Sequence, residues 1–180
     1  AERAFGVYDA FFLRAPVPSS TPEEIDYLER SVILTVNQLL SKEWSFGLNY
    51  KISQADLDDR FTAIPAGVAT SPAHLILDQN QTAVLNQLNL HAIYNLPCGF
   101  FSMLQGIWSK QSNQGYAADI PGDDFWQFNA FVGYRFPRRQ AELRVGLLNL
   151  TDRDYELNPL NLHSELPRER TLTARFRFNF

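Results

Sequence analysis

The side chains from which chemistry could be assembled are few: His74, His91 and His163, a lone Cys98, and two aspartate groups, Asp56, Asp58 and Asp59, then Asp119, Asp123 and Asp124. Metal ligation by histidine needs nitrogens that converge, and these three are widely spaced in the chain. His91 falls on the polar side of an alternating stretch, where a hydrogen bond is its expected role. Either aspartate group could bind calcium, but calcium loops arrange their oxygen ligands around a central glycine, and neither group has that spacing. Both read as solvated acids in loops. One cysteine allows no internal disulfide and no thiolate zinc cluster, and Cys98 is expected in a turn or as a packing residue. No nucleophile beside a base and no phosphate-binding loop stands out. The expectation is a non-enzyme with no catalytic site, no metal site and no cofactor.

The whole-chain composition narrows the partners. A net charge of -4 and a sequence pI near 5.3 argue against nucleic acid, whose phosphates need a basic surface. Aromatic residues make up 13% of the 180-residue chain, with Phe at 14 against a single Met, and flat rings favour pleated strands over helices. No run of about eighteen apolar residues occurs, so a membrane-spanning helix is not expected. A mean hydropathy of -0.24 says nothing about a membrane barrel, because alternating apolar and polar residues average to the value of a soluble protein. Ala1 follows no basic or apolar leader, so an export signal has been removed or lies upstream, or the chain is a piece of a longer one.

Two-residue alternation bounded by turn residues marks eight candidate strands, at 3–14, 28–40, 44–55, 84–96, 100–110, 125–136, 141–151 and 169–180. The last is the clearest: Leu172, Ala174, Phe176, Phe178 and Phe180 on one face, Thr173, Arg175, Arg177 and Asn179 on the other. Residues 125–136 set Trp126, Phe128, Ala130, Val132, Tyr134 and Phe136 against Gln127, Asn129, Phe131, Gly133 and Arg135. Residues 44–53 set Trp44, Phe46, Leu48, Tyr50 and Ile52 against Ser45, Asn49, Lys51 and Ser53. Thr21-Pro22-Glu23-Glu24 has the form of a helix N-terminus, with a cap, a proline and acids in the first turn. That leaves a short loop helix within 21–30 open, and a helix conceivable over Pro22 to Leu40.

The connections interleave in length. Short ones fall at 41–43, 97–99 and 137–140, and long ones at about 15–27, 54–83, 111–124 and 152–168. Outer-membrane barrels place short turns at the periplasmic side and long loops outside, whereas soluble sandwiches mix loop lengths at both ends. The expected fold is therefore all-β, an up-and-down antiparallel transmembrane β-barrel meander in one domain, 1–180. Strands of ten to twelve residues suit a tilted bilayer crossing, which takes about 9–11. If lipid takes the aromatic face, the cations Lys51, Arg135, Arg144, Arg175 and Arg177 project into the lumen, since a charge at the bilayer midplane costs about 2–4 kcal/mol. They would pair there with Glu142 and other carboxylates, or form an electropositive wall for an anionic chelate or a plug. Trp44, Trp126, Tyr134 and Phe136 lie near strand ends and read as interfacial aromatics, whose rings prefer the headgroup level.

Val145-Gly146-Leu147-Leu148-Asn149-Leu150-Thr151-Asp152-Arg153-Asp154-Tyr155, then Pro167-Arg168-Glu169-Arg170-Thr171 and the closing Phe180, resemble the C-terminal end of TonB-dependent outer-membrane receptors. Asn149, Leu150, Asp152, Tyr155 and Arg170 are the residues that carry the family-like motif. The likeness covers about forty residues strongly and the rest as strand and loop architecture. It implies the last third of a plugged barrel of about 22 strands in the outer membrane of a Gram-negative bacterium, engaged in energised import of a metal chelate, a cobalamin-like cofactor or an oligosaccharide. It further implies partners: outer-membrane lipid, the barrel-assembly machinery, which would recognise Phe176, Phe178 and Phe180, and a TonB-type energy coupler acting through an upstream plug. The small ligand itself is not specified. Strands 3–14 and 169–180 would then lack neighbours within this chain. Two rivals stand beside this reading, a complete eight-stranded outer-membrane barrel with a structural, adhesive or binding role, and a soluble barrel with its aromatic faces inward around a lipid or pigment.

Overall fold

The computed structural model describes residues 2–8, 17–64, 78–115, 122–157 and 166–178. In chain order the strands are β1 (Glu2–Tyr8), β2 (Val17–Pro22), β3 (Glu24–Leu39), β4 (Trp44–Arg60), β5 (Gln79–Asn95), β6 (Phe100–Gln114), β7 (Asp124–Arg135), β8 (Ala141–Leu148) and β9 (Thr171–Phe178). Strands β3 to β9 form one open, seven-stranded antiparallel sheet in which each strand neighbours the next, and β1 and β2 pair in a separate two-stranded sheet. The protein is all-β. One 3-10 turn, Pro137–Arg139, is the sole helical element among the described residues.

Two expectations are corrected. The helix conceivable over Pro22 to Leu40 is a strand. Ile25, Val32, Ile33, Thr35 and Val36 are β-branched and lose side-chain freedom in a helix, and β3 instead pairs along its whole length with β4, from Glu24 with Arg60 to Leu39 with Ser45. Asp56, Asp58 and Asp59 are not loop residues. Beyond Ser53 the face that carries Trp44 to Ile52 turns polar with Gln54, Asp56, Asp58 and Arg60 while Ala55 and Leu57 fall on the other, so the alternation changes sides there while the ladder runs on, Asp56 opposite Thr82 and Asp58 opposite Asn80. Seven described strands lie in the main sheet. Within the span 3–14, β1 pairs with β2, and residues 9–14 lie outside the described ones. Among the described strands, the edges of the main sheet are thus β3 and β9.

Because antiparallel neighbours pair residue against residue, the period-2 pattern of each strand carries across the sheet and gives it two chemically distinct faces. One continuous row runs Phe46, Ala92, Leu104, Ala130, Leu147 and Leu172 over six strands, apolar throughout. The adjacent row on the other face runs Asn37, Gly47, His91, Gln105 and Asn129. Burial is inverted relative to a soluble sheet. On the polar face Ser53, Ser109 and Gln127 are 0% exposed, while on the apolar face Leu104, Val132 and Phe176 are 62%, 61% and 64% exposed. Apolar groups fill in between the buried polar ones on that face, Ala55, Ala83 and Leu85 together with Phe101, Ile107, Phe125 and Phe131.

The apolar face is a band of limited height. On β4 it runs from Trp44 to Ile52 and on β7 from Trp126 to Tyr134. Eight steps of about 3.3 Å make about 26 Å along the strand, or about 20 Å at a barrel-like tilt of about 40°. Aromatic rings crowd the rim nearest the short turns, where Trp44 stacks on Phe46 at 5.8 Å and meets Tyr94 at 4.7 Å, and Tyr134 meets Phe100 at 4.8 Å and Phe136 at 5.1 Å. The opposite rim carries Tyr50, Trp108 and Trp126, joined in one row through Leu88. Above it, β4, β5 and β6 continue as polar extensions. Strands of 17 residues such as β4 and β5 are far longer than the usual 3–10.

The short turns are closed locally. The Ser41 hydroxyl oxygen accepts from the backbone N–H groups of Glu43 and Trp44, both at 3.1 Å. Between β5 and β6, Gly99 takes φ +100, a left-handed conformation that a side chain would oppose, and Leu96 N–H bonds Phe100 O at 2.8 Å. Cys98 is exposed in this turn.

Candidate functional site

The polar face of the main sheet and the connection that follows β8 are the places where polar side chains converge. On β5, β6 and β7 a chain of amides runs across the strands: Gln105 Nε2 donates to Asn89 Oδ1 at 3.1 Å, Asn129 Nδ2 donates to Gln105 Oε1 at 2.9 Å, and Asn149 N–H donates to Asn129 Oδ1 at 2.9 Å. Gln105 and Asn129 each give one of these bonds and accept one, which links β5, β6 and β7 to Asn149 across the sheet. His91 lies on this face opposite Gly47.

Asn149 is the hub of a clasp. It is 0% exposed with φ 50, a conformation asparagine tolerates better than most residues. Its Nδ2 donates to the carbonyl oxygens of Arg153 and Arg168, each at 3.0 Å, and its Oδ1 accepts from Arg153 N–H at 2.9 Å. Asp152, also left-handed at φ 53, accepts at Oδ1 from Arg170 N–H at 2.9 Å. Tyr155 stacks on Phe125 at 4.8 Å and 7°, its hydroxyl donates to Leu166 O, and Arg168 lies 5.6 Å above its ring. Asp123 completes the group by accepting from Glu156 N–H at 3.1 Å. The motif residues Asn149, Asp152, Tyr155 and Arg170 therefore fasten the two ends of the β8–β9 connection to each other and to β7. Leu150 continues the ladder, its N–H bonding Phe128 O at 2.8 Å.

The five cations share one face but not one environment. Lys51 meets Glu29 at 3.6 Å, and Arg135 meets Glu142 at 3.0 Å while lying 4.1 Å above the Phe101 ring. Arg144 lies 4.9 Å above the Phe131 ring. That ring fits only because residue 146 is glycine, where a Cβ would sit 2.1 Å from Phe131 Cδ1. Arg175 and Arg177 are exposed on β9. Ser45, Asn95, Arg135, Glu142 and Arg177 line a cavity of about 440 Å³ at the short-turn end.

Trp44, Trp126, Tyr134 and Phe136 border the apolar band, and Phe176 and Phe178 stand on its β9 portion. Phe180, His74, His163 and Asp119 lie outside the described residues. Among the described residues no cluster of three or more His, Cys, Asp and Glu is placed to hold a metal ion. Asp124, at the polar end of β7 beyond the apolar band, accepts from Lys110 Nζ at 3.0 Å and from Trp108 Nε1 at 2.7 Å, and these two donors hold its carboxyl below the ordinary carboxylate range.

Sequence reasoning did not single out Gln105, Phe101 or Phe125. Gln105 has a legible signal, an amide at an alternate position of a strand whose neighbours also carry amides. The rings do not, because a phenylalanine on a polar face looks misplaced until the register sets a glycine or an arginine beside it. The chain matches no protein-family model, no curated protein and no solved structure.

Proposed function

We propose that the chain forms part of the wall of a transmembrane β-barrel in a bacterial outer membrane, and that this barrel imports a scarce ligand such as a metal chelate, a cobalamin-like cofactor or an oligosaccharide. One observation carries the membrane part: the polar side chains of the sheet lie on its buried face, among buried aromatic and aliphatic ones, and the exposed face is the apolar one. In water such a sheet would expose a broad apolar surface at a large cost, whereas in a bilayer the same surface is solvated by lipid tails. The band height of about 20 Å is near the roughly 25 Å of outer-membrane barrels, and aromatic rings occupy both of its rims. The polar face then lines the lumen, and the strand ends at Arg60, Gln79, Gln114, Asp124, Leu148 and Thr171 lie on the outer side.

The import part is supported by the receptor-like motif, whose residues meet in a single clasp at the base of an outward connection and so have a physical reason to occur together. An upstream plug, a TonB-type coupler and recognition of the terminal strand by the assembly machinery belong to the same proposal. The chain's role is transport and not catalysis.

The test is the intact mass of the native polypeptide carrying this sequence, taken from the outer-membrane fraction of its source cell. A mass several-fold above 20.6 kDa supports a large importing barrel, and a mass near 20.6 kDa contradicts import in favour of a small closed barrel.

A further inference from the structure

Strand β9 pairs with β8 along one edge, and no described strand pairs with the other. Its outer backbone N–H and C=O groups are therefore open to a further strand. On the polar face this same edge strand carries Arg175 and Arg177, neither of which has a hydrogen-bond or ion-pair partner among the described residues. Their cross-strand neighbours do not neutralise them. Arg144 stands opposite Arg175, a like-charge pair that destabilises a ladder, and Glu142 opposite Arg177 is already engaged by Arg135. The polar face of β7, β8 and β9 thus sets Arg135, Arg144, Arg175 and Arg177 against the single carboxylate of Glu142. The other face of β9 is exposed and apolar, with Leu172, Phe176 and Phe178.

We propose that the free edge of β9 is completed by an extended protein segment that carries two carboxylates two positions apart, opposite Arg175 and Arg177, with an apolar residue between them on the Phe176 side. Two unmet demands meet on this edge, backbone hydrogen bonds and two guanidinium charges, beside an apolar face that an added strand must continue. An added strand answers both, since its alternate side chains reach the two faces at the same spacing of about 6.6 Å as Arg175 and Arg177. A free anion answers only the charge. Carboxylates beside guanidiniums also form the strongest cross-strand pairs available.

The described strands do not supply this segment. The other edge of the main sheet, β3, has one carboxylate on its polar face in register with the ladder, Glu29, flanked by Tyr27 and Ser31, and Glu29 is paired with Lys51. β1 contains one acid, Glu2, and β2 contains none. A second copy of β9 would bring arginines against arginines. The complementary strand is a partner of stated chemistry, acid, apolar, acid, and the barrel-wall proposal adds only that its apolar side faces lipid.

The test uses the native full-length polypeptide in detergent, with Arg175→Lys in a Glu142→Gln background so that the substitution keeps the charge and the nearest carboxylate is removed. Zero-length carbodiimide coupling followed by peptide mass mapping is expected to join the amine introduced at position 175 to an Asp or Glu in a segment with the acid, apolar, acid alternation. The parent carrying Arg175 should give no such link. Coupling only to loop acids without that alternation, or no coupling, overturns the proposal. In a second measurement, inorganic phosphate is titrated against the unaltered protein and against Arg175→Ser/Arg177→Ser. Phosphate stabilisation that requires both arginines would mean that a free anion fills the site and would likewise overturn it. Failure of the membrane reading would appear separately, as solubility of the protein without detergent, and would leave the coupling result interpretable.

Discussion

The side-chain amide of Asn149 donates to the carbonyl oxygen of Arg168 at 3.0 Å, joining the two ends of the connection between β8 and β9. Asn149→Ala would leave Arg153 N–H and the carbonyl oxygens of Arg153, Pro167 and Arg168 without this partner and place alanine at φ 50. These bonds are part-buried, so each one lost costs about 0.5–1.5 kcal/mol and the left-handed backbone about 1–2 more. The expected result is local release: protease cleavage between 150 and 168 accelerates, while amide exchange in β4 to β7 is unchanged. Equal cleavage rates in the two proteins would mean that the clasp does not hold the connection.

Gly146→Val tests the arginine platform. A Cβ at this position would lie 2.1 Å from Phe131 Cδ1, so the ring must leave Gly146 and with it the seat of Arg144. Overpacking of this kind costs about 1–3 kcal/mol. A lower denaturant midpoint is expected, with Gly146→Ala intermediate, and an unchanged midpoint for both would contradict the packing described.

Leu104 and Gln105 are neighbours in the chain that point to opposite faces of β6. Leu104→Arg should cost about 2–4 kcal/mol and impair membrane assembly, because it places a charge in the middle of the apolar band. Gln105→Arg should assemble, since it enters the polar face. In a protein surrounded by water the ranking would reverse, as Leu104 is 62% exposed and an arginine there would be harmless. Folding yield in lipid vesicles decides between them.

The carboxyl of Asp124 is held below the ordinary carboxylate range, first by Lys110 and then by Trp108. A lowered folded-state value means that the contribution is present above the unfolded value of about 3.9 and is lost as pH falls through the folded value. Trp108 emission should therefore stay constant from neutral pH down to about pH 4 and change below it. Asp124→Asn should remove that acid transition, and a transition that persists would assign it to another group.

Much of the sheet is legible in the chain wherever its two faces differ. Trp44 to Ser53, Phe125 to Phe136 and Leu172 to Phe178 alternate because one side meets polar groups and the other does not. Legibility fails where the pattern changes sides. From Gln54 to Arg60 the apolar side of β4 turns polar while Ala55 and Leu57 fall on the other side, so the strand reads as a loop, and at Thr21 to Glu24 the proline and acids imitate a helix start although the backbone is strand on either side of Glu23. The motif around Asn149 is legible as a pattern, but its work is not, because the groups it binds at Pro167 to Arg170 are distant in the chain. The separation of the cations into those seated on rings, Arg135 and Arg144, and those without a partner among the described residues, Arg175 and Arg177, depends on register and cannot be read from residue types.

All three tryptophans, Trp44, Trp108 and Trp126, stand on the apolar face at the two rims of the band. Quenching by brominated lipid in reconstituted vesicles tests the central claim most directly, with Trp44→Phe and Trp126→Phe used to assign the signals. The account predicts that Trp44 and Trp126 are quenched most by bromines near the headgroups, and that a tryptophan placed at Leu104 is quenched most by bromines near the bilayer centre. Protection of all three positions from every brominated lipid would contradict it.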